Sequence, residues 1–150
     1  MDSTAQLDQV RTLLAGQRLA VLATADANRP YTSIVAFAET QDVRRLYVAT
    51  LRESRKHRNL ARNPDAALLI DNRGNVENDF HQAAAVTAIG RVTMTDDTPA
   101  FEGARERFLA KHPYLSDFLD APTTVLLGME VAQYIWVDHF QHVVQIDLKP

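Results

Sequence analysis

Near the start of the chain apolar residues recur at helical spacing, at Leu7, Val10, Leu13 and Leu14. They predict an amphipathic helix, opened by a capping box of Ser3 and Gln6 and closed at Gly16. Its apolar stripe needs a larger body to lie against, in this chain or in a partner subunit. The pattern then changes. Residues 18–25 carry apolar side chains on both faces, Asp26-Ala27-Asn28-Arg29-Pro30 reads as a turn, and residues 31–39 return as a second strand. Gln41-Asp42 turns again before a third strand, residues 45–50. Strands joined so shortly predict an antiparallel meander. A short helix from Ser54 stops before Pro64, and residues 66–71 form a fourth strand. Residues 72–80 read as a polar loop around Gly74. Residues 83–95 suffice for one bent strand, with Gly90 marking a bulge or the close approach of another backbone. Thr98-Pro99 starts a further helix, with Phe101, Ala104 and Phe108 on its buried side and Pro113 ending it. Leu115, Phe118 and Leu119 predict one more helical turn, and residues 123–136 and 142–148 are the last strands. Helices are inserted among the strands and do not alternate with them. The fold class is therefore mainly β: a closed antiparallel barrel with helical additions, in a single domain over residues 1–150.

Composition narrows the function classes. A chain of 150 residues buries a real core in one domain. Its 46% hydrophobic and 23% charged residues are ordinary for a soluble globular protein. The absence of cysteine excludes disulfides, thiolate zinc sites, cysteine-ligated iron–sulfur clusters and a cysteine nucleophile, and suits a reducing compartment. Neither a secretory signal nor an apolar run of membrane-spanning length is visible, so the expectation is a cytoplasmic protein without a membrane partner. No Gly-x-Gly-x-x-Gly or Walker-type loop is present, which argues against a dinucleotide or nucleoside-triphosphate fold.

Charge changes the picture at one place. Arg52, Arg55, Lys56, Arg58 and Arg62 crowd into residues 50–64 with only Glu53 against them, in a chain of net charge −3. A solvated helix face is the plain reading. A bound anion is the sharper one. Ser54 can cap the helix, the free amides and dipole at a helix start favour negative charge, and Arg55 and Lys56 fall in the first turn. Arginine grips phosphate oxygens in a fork and lysine adds a point charge. Nucleic acid would need a broader basic surface, so none is expected as a partner.

Thr50-x-x-x-Ser54-Arg55-Lys56, with Leu60 and Asn63-Pro64 behind it, resembles the phosphate-binding segment of the pyridoxamine 5′-phosphate oxidase-like, FMN-binding split-barrel proteins. Arg29-Pro30-Tyr31-Thr32-Ser33-Ile34-Val35-Ala36-Phe37 resembles their second strand. The likeness extends over roughly residues 5–137. It implies an antiparallel Greek-key split barrel and FMN as cofactor. Arg55 and Lys56 would hold the phosphate, with Ala49, Thr50 and Ser54 beside them. Ser33, Ile34, Val35 and Ala36 would lay their backbone along the polar edge of the isoalloxazine, with the apolar side chains covering the ring. It also implies a homodimer with two cofactor sites at the interface. Asn72 and Arg73 read first as a polar turn and Trp136 as core or interface packing; the sharper reading has Asn72 or Arg73 reach the cofactor or a substrate across that interface and makes Trp136 a ring partner near the flavin.

The chain departs from the vitamin-synthesising oxidases at Ser33, where they carry a basic residue. It also lacks their arginine and histidine substrate motif in Trp136-Val137-Asp138-His139-Phe140-Gln141-His142. Pyridoxine 5′-phosphate oxidation is therefore not expected, and no residue stands out as a catalytic acid or base. His139 and His142 on a strand would face opposite sides, and Glu77, Asp79 and His81 would share a face if extended. Ordinary rim and loop roles are preferred for both groups over metal ligation, and no metal is assigned. Phe80 and His81 are candidates for an active-site lid. The leading function is an FMN-dependent oxidoreductase passing a hydride to or from an unidentified small molecule. The alternatives are a deazaflavin-dependent reductase and a non-catalytic flavin- or haem-binding or sensing protein.

Overall fold

A computed structural model describes residues 3–94 and 102–149. The strand end expected at Thr95, the helix start at Thr98-Pro99 and the Phe101 contact lie outside those residues, as does the Ser3 side chain with its expected cap. The elements run α1 (Ser3–Ala15), β1 (Leu19–Asp26), β2 (Arg29–Glu39), β3 (Arg45–Leu51), α2 (Arg55–Arg62), β4 (Asp65–Asp71), α3 (Asp79–Gln82), β5 (Ala85–Met94), α4 (Ala104–Lys111), a 3-10 turn (Pro113–Leu115), α5 (Ser116–Asp120), β6 (Thr124–Asp138) and β7 (His142–Asp147). Every strand pairing is antiparallel. The order β3-β2-β1-β4-β5-β6, with β6 pairing back to β3, closes a barrel, and β7 extends from β6 outside the closure. After the β1–β2–β3 meander the chain crosses through α2 to lay β4 beside β1, a Greek-key path. Among the described residues no helix is long and apolar enough to cross a membrane.

Period-two alternation fills the barrel. Leu22, Val35, Phe37, Leu46, Val48, Leu68, Ile70, Val86, Ala88, Leu127 and Met129 are buried in one cluster. The stripe of α1 joins it through Val10, Leu13 and Leu14, so α1 seals the barrel of its own chain. Gly16 ends α1 without a left-handed turn, its N–H reaching Thr12 and Leu13 carbonyls at 3.2 Å. A smaller cluster outside the barrel packs Ala38, Tyr47, Ala49 and Leu126 against Ala104 and Phe108 of α4 and Leu119 of α5.

Gly90 lies where two backbones meet. Its partner shifts from Gln133 at Ile89 to Val131 at Gly90, leaving Ala132 as an extra residue in β6. A Cβ on Gly90 would sit 2.0 Å from the Glu130 carbonyl oxygen. The bulge switches the inward positions of β6 from Val125, Leu127, Met129 and Val131 to Tyr134 and Trp136. One long strand thereby serves the barrel and then β7.

Residues 72–80 are not wholly loop, because Asp79 nucleates α3 by accepting the Gly74 and Val76 amides at 2.9 and 3.0 Å. That turn also removes the extended arrangement in which Glu77, Asp79 and His81 would share a face. The β6–β7 turn corrects the reading of His139 and His142. Residues His139, Phe140 and Gln141 all have positive φ, so the segment is not extended there. Both rings therefore approach one carboxylate, Asp138, His142 Nδ1 at 2.7 Å and His139 Nε2 at 4.0 Å.

Candidate functional site

The barrel is split on one side. β2 pairs with β3 only at residues 37–39, through Phe37↔Val48, Ala38↔Tyr47 and Glu39↔Leu46. Beyond that point β3 stays with β6 down to Leu51↔Thr124, while residues 29–36 of β2 stay with β1. The Phe37 N–H donates to the Arg18 carbonyl at 3.3 Å. Strand alternation then turns the backbone groups of Ile34 and Thr32 away from β1, into the split. Ile34 is 71% exposed. Its neighbours Ser33 and Val35 face inward, Val35 within the core at 4% exposure. The Val35 side chain is thus a barrel residue and cannot cover a ring in the split, whereas Ile34 can. Ser33 Oγ is buried there without a hydrogen-bond partner.

The start of α2 stands at the same opening. Ser54 takes the expected cap position, its Oγ accepting from the His57 N–H at 3.3 Å and donating to the Leu51 carbonyl at 2.8 Å. Thr50 is buried and its Oγ1 lies 3.3 Å from Ser54 Oγ, so its hydroxyl braces the cap. The first intrahelical bond is Arg58 N–H to the Ser54 carbonyl at 3.1 Å, which leaves the Arg55 and Lys56 amides without an intrahelical acceptor. The Arg55 guanidinium lies over the Tyr31 ring, 5.1 Å from its centroid. Neither Arg55 nor Lys56 has a carboxylate partner among the described residues, whereas Arg62 pairs with Asp26 at 3.6 Å. Burial, reinforced by the nearby Arg52 charge, lowers the His57 pKa and keeps the imidazole neutral at neutral pH.

Two contacts hold α2 in place. Asn59 Nδ2 donates to Thr24 Oγ1 of β1 at 3.0 Å, with both side chains buried, and Leu60 enters the barrel cluster. Sequence reasoning missed Asn59, Thr24 and Tyr31. Tyr31 carried a signal, since alternation puts it on the face of Ser33, but Asn59 looked like one more polar residue on a charged helix.

Ser33–Ala36 and Thr50–Lys56 therefore flank the same split, with Arg55 reaching Tyr31 across it and Ala49 buried under α4. Asn72, Arg73 and Trp136 do not join them. They lie at the other end of the barrel, where Asp71, Ala85 and Val137 pair in register. There the Asn72 side chain accepts from the Ala84 N–H at 2.8 Å, Arg73 pairs with Asp71 at 3.1 Å, and Trp136 Nε1 donates to Asp138 at 3.0 Å. Among the described residues no cluster of His, Asp and Glu is arranged to hold a metal ion.

The chain is similar to several solved structures. A haem-binding protein from Mycobacterium smegmatis superposes with a TM-score of 0.83 at 18% identity, covering 98% of this chain and 58% of that one. A FAD-binding protein from Mesorhizobium loti gives 0.69 at 20% identity, covering 85% and 89%. A protein from Clostridium acetobutylicum related to general stress protein 26, of the pyridoxinephosphate oxidase family, gives 0.73 at 14% identity, covering 99% and 97%. At such identities these likenesses establish the fold alone. This chain spans only about 58% of the mycobacterial protein's length. No curated protein sequence matches it. Residues 7–137, however, match the model of the pyridoxamine 5′-phosphate oxidase family, and with the split barrel in place the chain belongs to that family.

Proposed function

We propose that the protein binds FMN along the split between β2 and β3 and passes a hydride between the flavin and a small molecule. The observation that carries this reading is the start of α2. Two cations without carboxylate partners among the described residues, two amides without intrahelical acceptors and a capping serine converge beside a strand edge that β3 has left. That donor set suits a phosphate monoester. The Thr32 and Ile34 backbone groups suit the polar rim of a flat heterocycle, and exposed Ile34 suits its face. When bound, a flavin supplies the redox chemistry itself. The chain's own part is to fix the phosphate, hydrogen-bond the ring edge and keep water from one side. A dedicated acid or base is not required.

The same geometry supports a second copy as part of this reading. A split that seats a flat ring on one chain leaves its far face open. The outer face of the barrel carries an in-register row, Ile34, Val21, Leu69, Thr87 and Ile135, and none of its apolar members joins either buried cluster. A twofold dimer would bury that row and close the ring site. In it, Asn72 and Arg73 would reach a flavin only from the partner subunit, whereas Trp136, buried in the barrel cluster, would not. Pyridoxine 5′-phosphate is not the proposed substrate, given Ser33 and the strained His139–Gln141 turn in place of a substrate-gripping motif.

Calorimetric titration of the apoprotein tests the cofactor. FMN should bind more tightly than riboflavin, and the double variant Arg55→Ala/Lys56→Ala should lose at least about tenfold in FMN affinity, since charge-assisted bonds contribute roughly 1.5–3 kcal/mol each. Equal affinity in variant and parent would sink the reading. Tighter binding of a deazaflavin or of haemin in parallel titrations would replace it.

A further inference from the structure

We propose a second anion site, separate from the start of α2, that takes a carboxylate or phosphate group of the molecule meeting the flavin; only this role toward the flavin rests on the reading above. The site is a cavity of about 370 Å3 between residues 103–106, residues 119–122, and the Arg52, Thr124 and Leu126 side of the β3–β6 ladder.

Its floor holds an unexplained polar group. Thr124 faces outward like Leu126, two residues on, and is only 5% exposed, yet its Oγ1 has no hydrogen-bond partner among the described residues. Such groups are normally satisfied. An oxyanion seated on the floor would accept from that hydroxyl. The α4 start supplies more donors. Gly103, at φ +84, takes the cap position and has no side chain to cap with. The first intrahelical bond is Arg107 N–H to the Gly103 carbonyl at 3.0 Å, so the amides of Ala104, Arg105 and Glu106 have no intrahelical acceptor. Arg52 adds a positioned cation, its Nε donating to the Pro122 carbonyl at 3.1 Å and its N–H to the Thr123 carbonyl at 2.8 Å.

Among the described residues, the acidic groups of the lining sit at the rim. Glu106 and Asp120 are exposed, and Asp120 is paired with Arg105. A cation would meet Arg52, a hydroxyl and amide hydrogens on the floor, and an anion finds donors there. Arg52 and Ser54 share one tight connection, closed by the Ser54 N–H to the Leu51 carbonyl at 3.2 Å. The cavity and the α2 start are therefore neighbours, placed to hold two ends of a cofactor–substrate pair.

Amide chemical shifts of 15N-labelled protein, titrated with inorganic phosphate and with acetate, test the proposal on the apo and the FMN-loaded chain. Saturable shifts at Ala104, Arg105 and Glu106 are expected in both forms. Arg52→Gln should weaken the response about tenfold and Thr124→Val about threefold, with the rest of each spectrum unchanged. Shifts confined to Ser54, Arg55 and Lys56 and abolished by FMN, or none at α4, would overturn the site. If FMN fails to bind while the α4 amides still respond, the flavin reading falls and the anion site stands.

Discussion

Gly90 and Asp138 show what single side chains contribute. A methyl group at Gly90 would collide with backbone, which cannot swing aside as a side chain does. Gly90→Ala should therefore cost about 3 kcal/mol or more, at the upper end of overpacking penalties, read by urea unfolding. Asp138 is pushed up by burial, but hydrogen bonds from Trp136 and His142 outweigh that and hold its carboxyl below the usual range. The folded state binds this proton less tightly than the unfolded chain does. The stabilisation is thus complete at neutral pH and is lost as pH falls through about 4 and below. Trp136 is the only tryptophan, so its fluorescence reports the pair directly. Acid titration should shift its emission in the parent, and Asp138→Asn should flatten that response; an unchanged curve would refute the assignment.

At the scale of the element, α2 decides the site. Eight residues make a marginal helix, and its place comes from the Asn59–Thr24 bond and Leu60. Asn59→Ala leaves the buried Thr24 hydroxyl unpartnered and should cost roughly 1–3 kcal/mol. Because the same helix start is proposed to hold phosphate, FMN affinity should fall with it although Asn59 touches no ligand. Calorimetry on a variant that is still folded separates the two effects. Lost stability with full FMN affinity would mean that α2 binds nothing.

The whole molecule has two unlike outer faces. The α4 and α5 helices cover β2, β3 and β6 with a buried cluster of their own, whereas the row from Ile34 to Ile135 has no such cover among the described residues. Leu69 lies mid-row, so Leu69→Lys should dissociate the proposed dimer by setting two lysines near the twofold. Sedimentation equilibrium at micromolar concentration, with and without FMN, reads the outcome. A monomer that binds FMN as tightly as the parent would disprove the shared site.

Period-two runs and the α1 stripe made the strands, their antiparallel pairing and the barrel class legible in sequence, because alternation and burial are local consequences of one face meeting a core. Ser54 as a cap with Arg55 and Lys56 in the first turn behind it was legible, because a helix start is set by neighbours in the chain. Tertiary structure decided the rest. The register loss between β2 and β3 opens the split, and nothing local in either strand announces it, since Phe37 and Val48 look as strand-like as their neighbours. The extra residue at Ala132 reversed the inward face of β6, which depends on Gly90 in another strand. Three left-handed residues after Asp138 brought His139 and His142 to one carboxylate against their strand spacing. The orphaned Thr124 hydroxyl, finally, is a property of what surrounds it, because burial and hydrogen bonding are settled only when distant segments meet.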